Sequence, residues 1–192
     1  MPISLAELDA LDVPGFLAAL GPVVENSPEV VAPLTQQRPF ARVADLIRAL
    51  ATAVRTLDAS ARHDLLNAHP ELAGAEAQAG IMTRASTSEQ QRLGLLALTR
   101  SELERLQALN DTYRKRFGFP FIVALHRLAN RDAVFDALEA RLQNDAEQET
   151  AIALDEIVAV IDGRVRRLVT DDAPLRRAAV IDPNPFTSTS GD

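Results

Sequence analysis

Apolar residues recur three and four positions apart over most of the chain, and cap residues, prolines and glycines cut the pattern into short helical stretches. Between Ala41 and Arg55, Val43, Leu46, Ile47, Leu50 and Val54 share one helical face, and a second apolar face runs through Leu65 and Leu66 up to Pro70. Ser4 and Glu7 have capping-box spacing, with Ile3 and Leu8 placed for the hydrophobic staple around it, so a first helix starts there. Asp12 before Val13-Pro14 and Ser27 before Pro28 repeat a cap followed by proline, whose missing N–H is harmless in a first turn; Gly21-Pro22 closes the short helix between them. Ser86-Thr87-Ser88-Glu89 and Thr99-Arg100-Ser101-Glu102 read as two further capping boxes, the second opening a helix that runs to Phe117-Gly118. Phe119 to Val123 reads as extended, Asn130 caps a helix to about Asn144, and Asp145 caps a long last helix ending near Val169. Sustained runs of β-branched and aromatic residues are scarce. The pattern predicts an all-α fold, a single compact multi-helix domain over residues 1–169. Beyond it the periodicity stops, and Pro174, Pro183 and Pro185 mark 170–192 as a tail expected to be flexible or loosely docked.

Composition narrows the functions open to this fold. The 192 residues are 47% hydrophobic, enough for a substantial core, and carry a net charge of −7, so no basic face invites nucleic acid or an anionic membrane. There is no cysteine, which removes disulfides, thiolate metal sites, iron–sulfur clusters and a cysteine nucleophile together, and three histidines give metal chemistry little material. No apolar run is long enough to span a bilayer, Met1 to Glu7 lacks the basic and apolar regions of a secretion signal, and the final residues do not form a Ser-Lys-Leu peroxisomal address. The expected location is the cytoplasm, with neither membrane nor nucleic acid as partner.

Four features carry candidate chemistry, each with a structural alternative. His69 precedes Pro70, which disfavours helical geometry before it, so its imidazole belongs at a helix end, either on the rim of a pocket or bonded to the terminal carbonyls. Ser86, Glu89 and Gln90 offer a hydroxyl, a carboxylate and an amide within one turn, suited to a polar ligand and equally to capping the helix itself. Phe117-Gly118-Phe119-Pro120-Phe121 holds three of the seven phenylalanines, forming either a core plug or the wall of a site for a planar ligand. Arg164 falls among Ala153, Ile157, Val160, Ile161 and Leu168 on the apolar side of the last helix, and a buried guanidinium needs an anion: an internal acid or a substrate carboxylate.

In order and spacing these pieces resemble the decarboxylases acting on 2-oxo-4-hydroxy-4-carboxy-5-ureidoimidazoline (OHCU). The resemblance runs from about Leu5 to Val169. It takes in Glu25-Asn26-Ser27-Pro28, Arg38-Pro39-Phe40, Asn67-Ala68-His69-Pro70-Glu71-Leu72-Ala73-Gly74, Ser86 to Gln90 with Gly94-Leu95, Leu109-Asn110 through Tyr113 to Phe121, Arg141 to Asp145, and Glu156-Ile157 followed by Arg164. Two positions depart from it: Glu29 stands where a tryptophan often follows Ser-Pro, and Leu125-His126-Arg127 replaces a more usual Val-Arg-Gly. The resemblance implies an all-helical carboxy-lyase of urate breakdown that forms (S)-allantoin without a metal or organic cofactor, takes a small-molecule ureide, and works as a homodimer. It also implies a catalytic pair in His69 and Glu89, with Pro70, Ser86, Gln90, Phe119, Phe121, Ile122 and Arg164 contacting substrate. Two rivals remain at this level, a paralogue acting on another ureide and a non-catalytic helical interaction module.

Overall fold

The computed structural model describes residues 2–25 and 27–171. Its elements follow in chain order. Strand β1 (Ile3–Ser4) leads into helix α1 (Leu5–Ala10), where Ser4 Oγ accepts the Glu7 N–H and the Glu7 carboxylate accepts the Ser4 N–H. Helix α2 (Val13–Leu20) starts on the Asp12 carboxylate. It runs on through Gly21 into a 3-10 turn (Gly21–Val24) instead of stopping at Gly21-Pro22. After α3 (Pro28–Val31) and another 3-10 turn (Ala32–Gln36) come α4 (Val43–Arg55), α5 (Ala59–Ala68) and α6 (Ala75–Ala79). Ser27 precedes α3 as expected but makes no side-chain cap bond. Helices α7 (Arg84–Arg92) and α8 (Arg100–Phe117), a 3-10 turn (Leu125–Arg127), α9 (Arg131–Arg141), α10 (Ala146–Leu168) and strand β2 (Val169–Thr170) complete the order. The fold is all-α, and its two short strands form one parallel ladder, Ile3 opposite Val169 and Ser4 opposite Thr170.

The predicted caps of the later helices hold: Thr99 and Glu102 form the box of α8, Gly118 ends it at φ 82°, and Asn130 and Asp145 open α9 and α10. Helix α7 differs. Its cap is Thr83, whose hydroxyl accepts the Ser86 N–H, so Ser86 and Glu89 lie inside the helix rather than forming a box at its start. The predicted domain limit at 169 also moves, because Thr170 pairs with Ser4 and the Asp171 carboxylate accepts the Val43 N–H at 2.7 Å. The remainder of the expected tail, 172–192, lies outside the described residues.

Helices α4 and α10 pack against each other at the centre. Leu46, Leu50 and Val54 on one, and Ala153, Ile157, Ile161 and Val165 on the other, are fully buried or nearly so. Removing a leucine or isoleucine side chain from water stabilises by about 1.5–3 kcal/mol, so this shared seam fixes the position of α10. A polar clamp secures its first turns. Glu149, with no exposed surface, accepts from Tyr113 Oη, from Arg141 Nε at 2.7 Å and Nη2, and from Asn144 Nδ2 at 2.7 Å. Arg141 Nη1 donates in turn to the Ile122 carbonyl at 2.5 Å, and Glu156 accepts the Ala124 N–H at 2.7 Å. The segment after α8 forms neither helix nor strand and bends at Gly118 and Phe119; it is held on side chains of α9 and α10 instead of on a neighbouring strand.

Candidate active site

One cavity gathers most of the residues singled out by the sequence. His69, Pro70, Ser86, Glu89, Gln90, Phe121, Ile122 and Arg164 line about 380 Å³ of atom-free space that is partly continuous with solvent, joined by Glu25 and an apolar wall that includes Leu72 and Val160. Phe119 is the exception. Both rings pack edge-on to Tyr113, Phe119 at 5.9 Å and Phe121 at 5.3 Å, but only Phe121 reaches the cavity, where it lies under the Arg141 guanidinium at 4.8 Å. Rings two residues apart would share one face of an extended strand, but the chain bends at Gly118 and Phe119, and the two rings part there.

His69 caps the C-terminal end of α5 and is 8% exposed. Its Nδ1 lies 2.9 Å from the Leu65 carbonyl. A carbonyl only accepts, so Nδ1 carries the hydrogen, and in the neutral ring Nε2 is left as an acceptor. Burial holds the imidazole pKa below its ordinary value; the Glu25 charge and the Leu65 hydrogen bond oppose burial without reversing it. The two readings of His69 therefore coexist, since one nitrogen serves the helix end and the other is available to the cavity.

The anion that Arg164 needs is internal. Its Nε and Nη2 grip Glu89 at 3.2 and 2.7 Å, Nη2 also donates to Ser86 Oγ at 3.0 Å, and Nη1 meets Glu25 at 2.6 Å with the Pro22 and Val23 carbonyls at 3.4 Å. All five guanidinium hydrogens thus have acceptors within the chain. Burial alone works to lower the Arg164 pKa, but the hydrogen bond it donates to Glu89 and the charges of Glu25 and Glu89 outweigh it and raise it. Glu89 is gripped from the other side by Arg167 Nη2 at 2.7 Å. Two arginines and two glutamates balance around the cavity, which suits a buried charge cluster.

Glu25 is the residue the sequence reading missed. It accepts from Ser86 Oγ at 2.5 Å and Thr83 Oγ1 at 3.2 Å, besides pairing with Arg164. It follows the 3-10 turn at φ 49°, a left-handed conformation that non-glycine residues seldom adopt. Its place in Glu25-Asn26-Ser27-Pro28 carried a signal of family likeness, but the turn that inverts its backbone is not visible in that string. Gln90 is engaged too: Oε1 accepts the Ala73 N–H at 2.8 Å and Nε2 donates to Met82 Sδ at 3.2 Å, supporting the loop behind His69.

The sequence profile of the family described as OHCU decarboxylase matches residues 9–166 of this chain. The chain belongs to the OHCU decarboxylase family. Membership makes it a carboxy-lyase. It is 35% identical to the 2-oxo-4-hydroxy-4-carboxy-5-ureidoimidazoline decarboxylase of Mus musculus over 87% of this chain and 93% of that protein. To the protein of the same name from Haloferax volcanii it is 37% identical, over 85% of this chain and 94% of the relative. A solved structure of (S)-allantoin synthase superposes with a TM-score of 0.67 at 27% identity, covering 86% of this chain and 54% of that one. An OHCU decarboxylase crystallised in the presence of (S)-allantoin, 20% identical, shares the fold at a TM-score of 0.63 over 78% of this chain and 96% of the other.

Proposed function

We propose that this enzyme decarboxylates OHCU to (S)-allantoin in urate breakdown, with His69 and Glu89 at the reacting centre. The observation that carries the reading is a buried histidine whose Nδ1 lies on the Leu65 carbonyl and whose Nε2 has no hydrogen-bond partner among the described residues, lining the same small cavity as a carboxylate held by two arginines. In this reading Glu89 accepts ureido N–H groups of the substrate, while Phe121, Ile122 and Pro70 shape the walls around its planar ring. Arg164 is a positioning residue here: its donors are taken by the chain, so it acts by aiming Glu89 and Ser86.

The substrate carries its own electron sink. When the bond between the carboxylate and its ring carbon breaks, that electron pair forms C=C with the neighbouring carbon, and the C=N pair collects on nitrogen. His69 Nε2 takes the hydroxyl proton and delivers it to the neighbouring carbon as the hydroxyl oxygen becomes a carbonyl; the nitrogen takes one proton from solvent. The sum is one CO2 released and one proton gained. Depressed basicity keeps Nε2 free at neutral pH, and the Leu65 bond fixes the face from which the proton arrives. Packing the leaving carboxylate against Leu72, Phe121 and Val160 strips its water and favours the uncharged product.

Freshly generated OHCU followed by circular dichroism tests this. The expected result is rapid growth of the (S)-allantoin signal, lost in His69→Ala and Glu89→Ala while the far-ultraviolet helical signal stays. Decay no faster than the spontaneous reaction would overturn the assignment. We infer a cytoplasmic enzyme from the amino-terminal sequence and the lack of a bilayer-length apolar run, and a homodimer from the family likeness; light scattering on the purified chain decides the second point.

A further inference from the structure

The Arg164–Glu89 pair has a second face. Both residues also line a broader surface cleft, about 1360 Å³ of atom-free space continuous with open solvent, together with Arg84, Arg92, His126 and Arg167. We propose that this cleft is a second anion-binding site, distinct from the cavity that holds His69, and that it takes a small oxyanion of the phosphate or carboxylate class. The inference goes beyond the proposed decarboxylation and does not depend on it.

Charge is the first argument. Four guanidinium groups and one carboxylate line the cleft, on a chain whose net charge is −7. The balance is positive, and a concavity of net positive charge on a protein of opposite net charge concentrates counter-ions locally. Donor availability is the second. Arg164 has its donors occupied, and Arg92 is spent on the Leu125 and Leu128 carbonyls. Arg84, at the first position of α7, is exposed and has no hydrogen-bond or ion-pair partner among the described residues. Among the described residues Arg167 is bound only through Nη2 to Glu89, and its side chain is 53% exposed. Two guanidinium forks thus have free donors, and such forks match an oxyanion in two-point contact.

His126 is the third argument. A Cβ on Gly163 would lie 3.0–3.3 Å from three atoms of its ring, so the bare glycine lets the imidazole lie directly against α10 next to Arg164 and Arg167. This is the histidine of Leu125-His126-Arg127, where the chain departs from the usual family pattern, and the proposed reaction makes no use of it.

The three histidines, His63, His69 and His126, make a direct assay possible. Inorganic phosphate is titrated into the full chain at constant pH and ionic strength while the histidine ring resonances are followed by proton–carbon NMR. The expected result is a saturable shift of the His126 resonance with His63 unmoved. Arg84→Gln removes one exposed contact and touches nothing else, so the fold is kept and phosphate binding weakens roughly fivefold. His69→Ala leaves the affinity unchanged. Three outcomes would overturn the proposal: phosphate moves His69 and not His126, Arg84→Gln binds phosphate as the parent does, or chloride at equal ionic strength reproduces the His126 shift.

Discussion

Replacing Glu25 with glutamine keeps the shape of the side chain and removes only its charge. The glutamine oxygen, in the place of Oε1, can still accept from Ser86 at 2.5 Å, while its amide nitrogen replaces the oxygen that accepts from Thr83 at 3.2 Å, and Arg164 loses one of its two counter-charges at 2.6 Å. Two charges about 4 Å apart at an effective dielectric near 20 attract by about 4 kcal/mol, and the saved desolvation of a buried carboxylate offsets part of that. Because Glu89, Ser86 and two carbonyls still hold the guanidinium, the net loss is that of one charge-assisted hydrogen bond, about 2 kcal/mol. In a chain of this size that lowers the melting temperature by roughly 4–8 °C. Chemistry changes as well. The Glu25 charge is the largest influence opposing burial at His69, so its removal depresses the imidazole pKa further. A reaction that needs neutral His69 gains rate as pH rises through that pKa, so the acid limb of kcat/KM in Glu25→Gln moves to lower pH. Thermal melts by circular dichroism and pH–rate profiles on fresh substrate read both effects. An acid limb that stays in place or moves upward, with a melting point within about 1 °C of the parent, would refute the account of Glu25 as the support of Arg164 and His69.

Two further outcomes follow from the same geometry. Since burial holds the His69 pKa below its unfolded value of about 6.5, the unfolded chain binds more protons than the folded one as pH drops below that point, and stability falls with it. His69→Gln removes this dependence, so the stability gap between parent and variant, measured by urea unfolding, changes between pH 8 and about pH 5.5; a constant gap would count against a buried neutral imidazole. Glu149→Gln leaves the Arg141 charge, whose side chain is 11% exposed, without its carboxylate, at a cost of about 3–5 kcal/mol in urea unfolding. A loss below about 1 kcal/mol would show that this clamp is not what holds the first turns of α10.

How far the sequence reached depended on whether the cause was local. The Ser4–Glu7 and Thr99–Glu102 boxes, Gly118 at its positive φ, and the Asn130 and Asp145 caps are decided within a few residues, and each was legible as written. Helix α7 was misread because its strongest capping string, Ser86 to Glu89, is claimed by distant groups: Glu25 takes the Ser86 hydroxyl and Arg164 and Arg167 take the Glu89 carboxylate. A string that satisfies a local rule was diverted by three partners far away in sequence. The discomfort of Arg164 on an apolar stripe was visible, but its partner was not, because Glu25 reaches it only through a left-handed turn. Phe119 and Phe121, two residues apart, would share a face in an extended segment, and only the bend at Gly118 and Phe119, with the hold of Arg141 and Glu156 on the residues that follow, tells them apart.

Helix α10 carries Glu149, Glu156 and Arg164 at intervals of seven and eight residues, roughly two turns each. The first anchors the arginine that pins Ile122, the second takes the Ala124 amide, and the third gathers Glu25, Ser86 and Glu89. The helix therefore works as a ruler about 22 Å long, with the cavity wall and the charge cluster read off it at fixed marks. One residue added or deleted between Glu149 and Arg164 would turn everything beyond it by about 100° and slide it by about 1.5 Å, putting the marks out of register together. Length variation in this enzyme must fall in the connections between helices, while this stretch of α10 can change its letters but not their number.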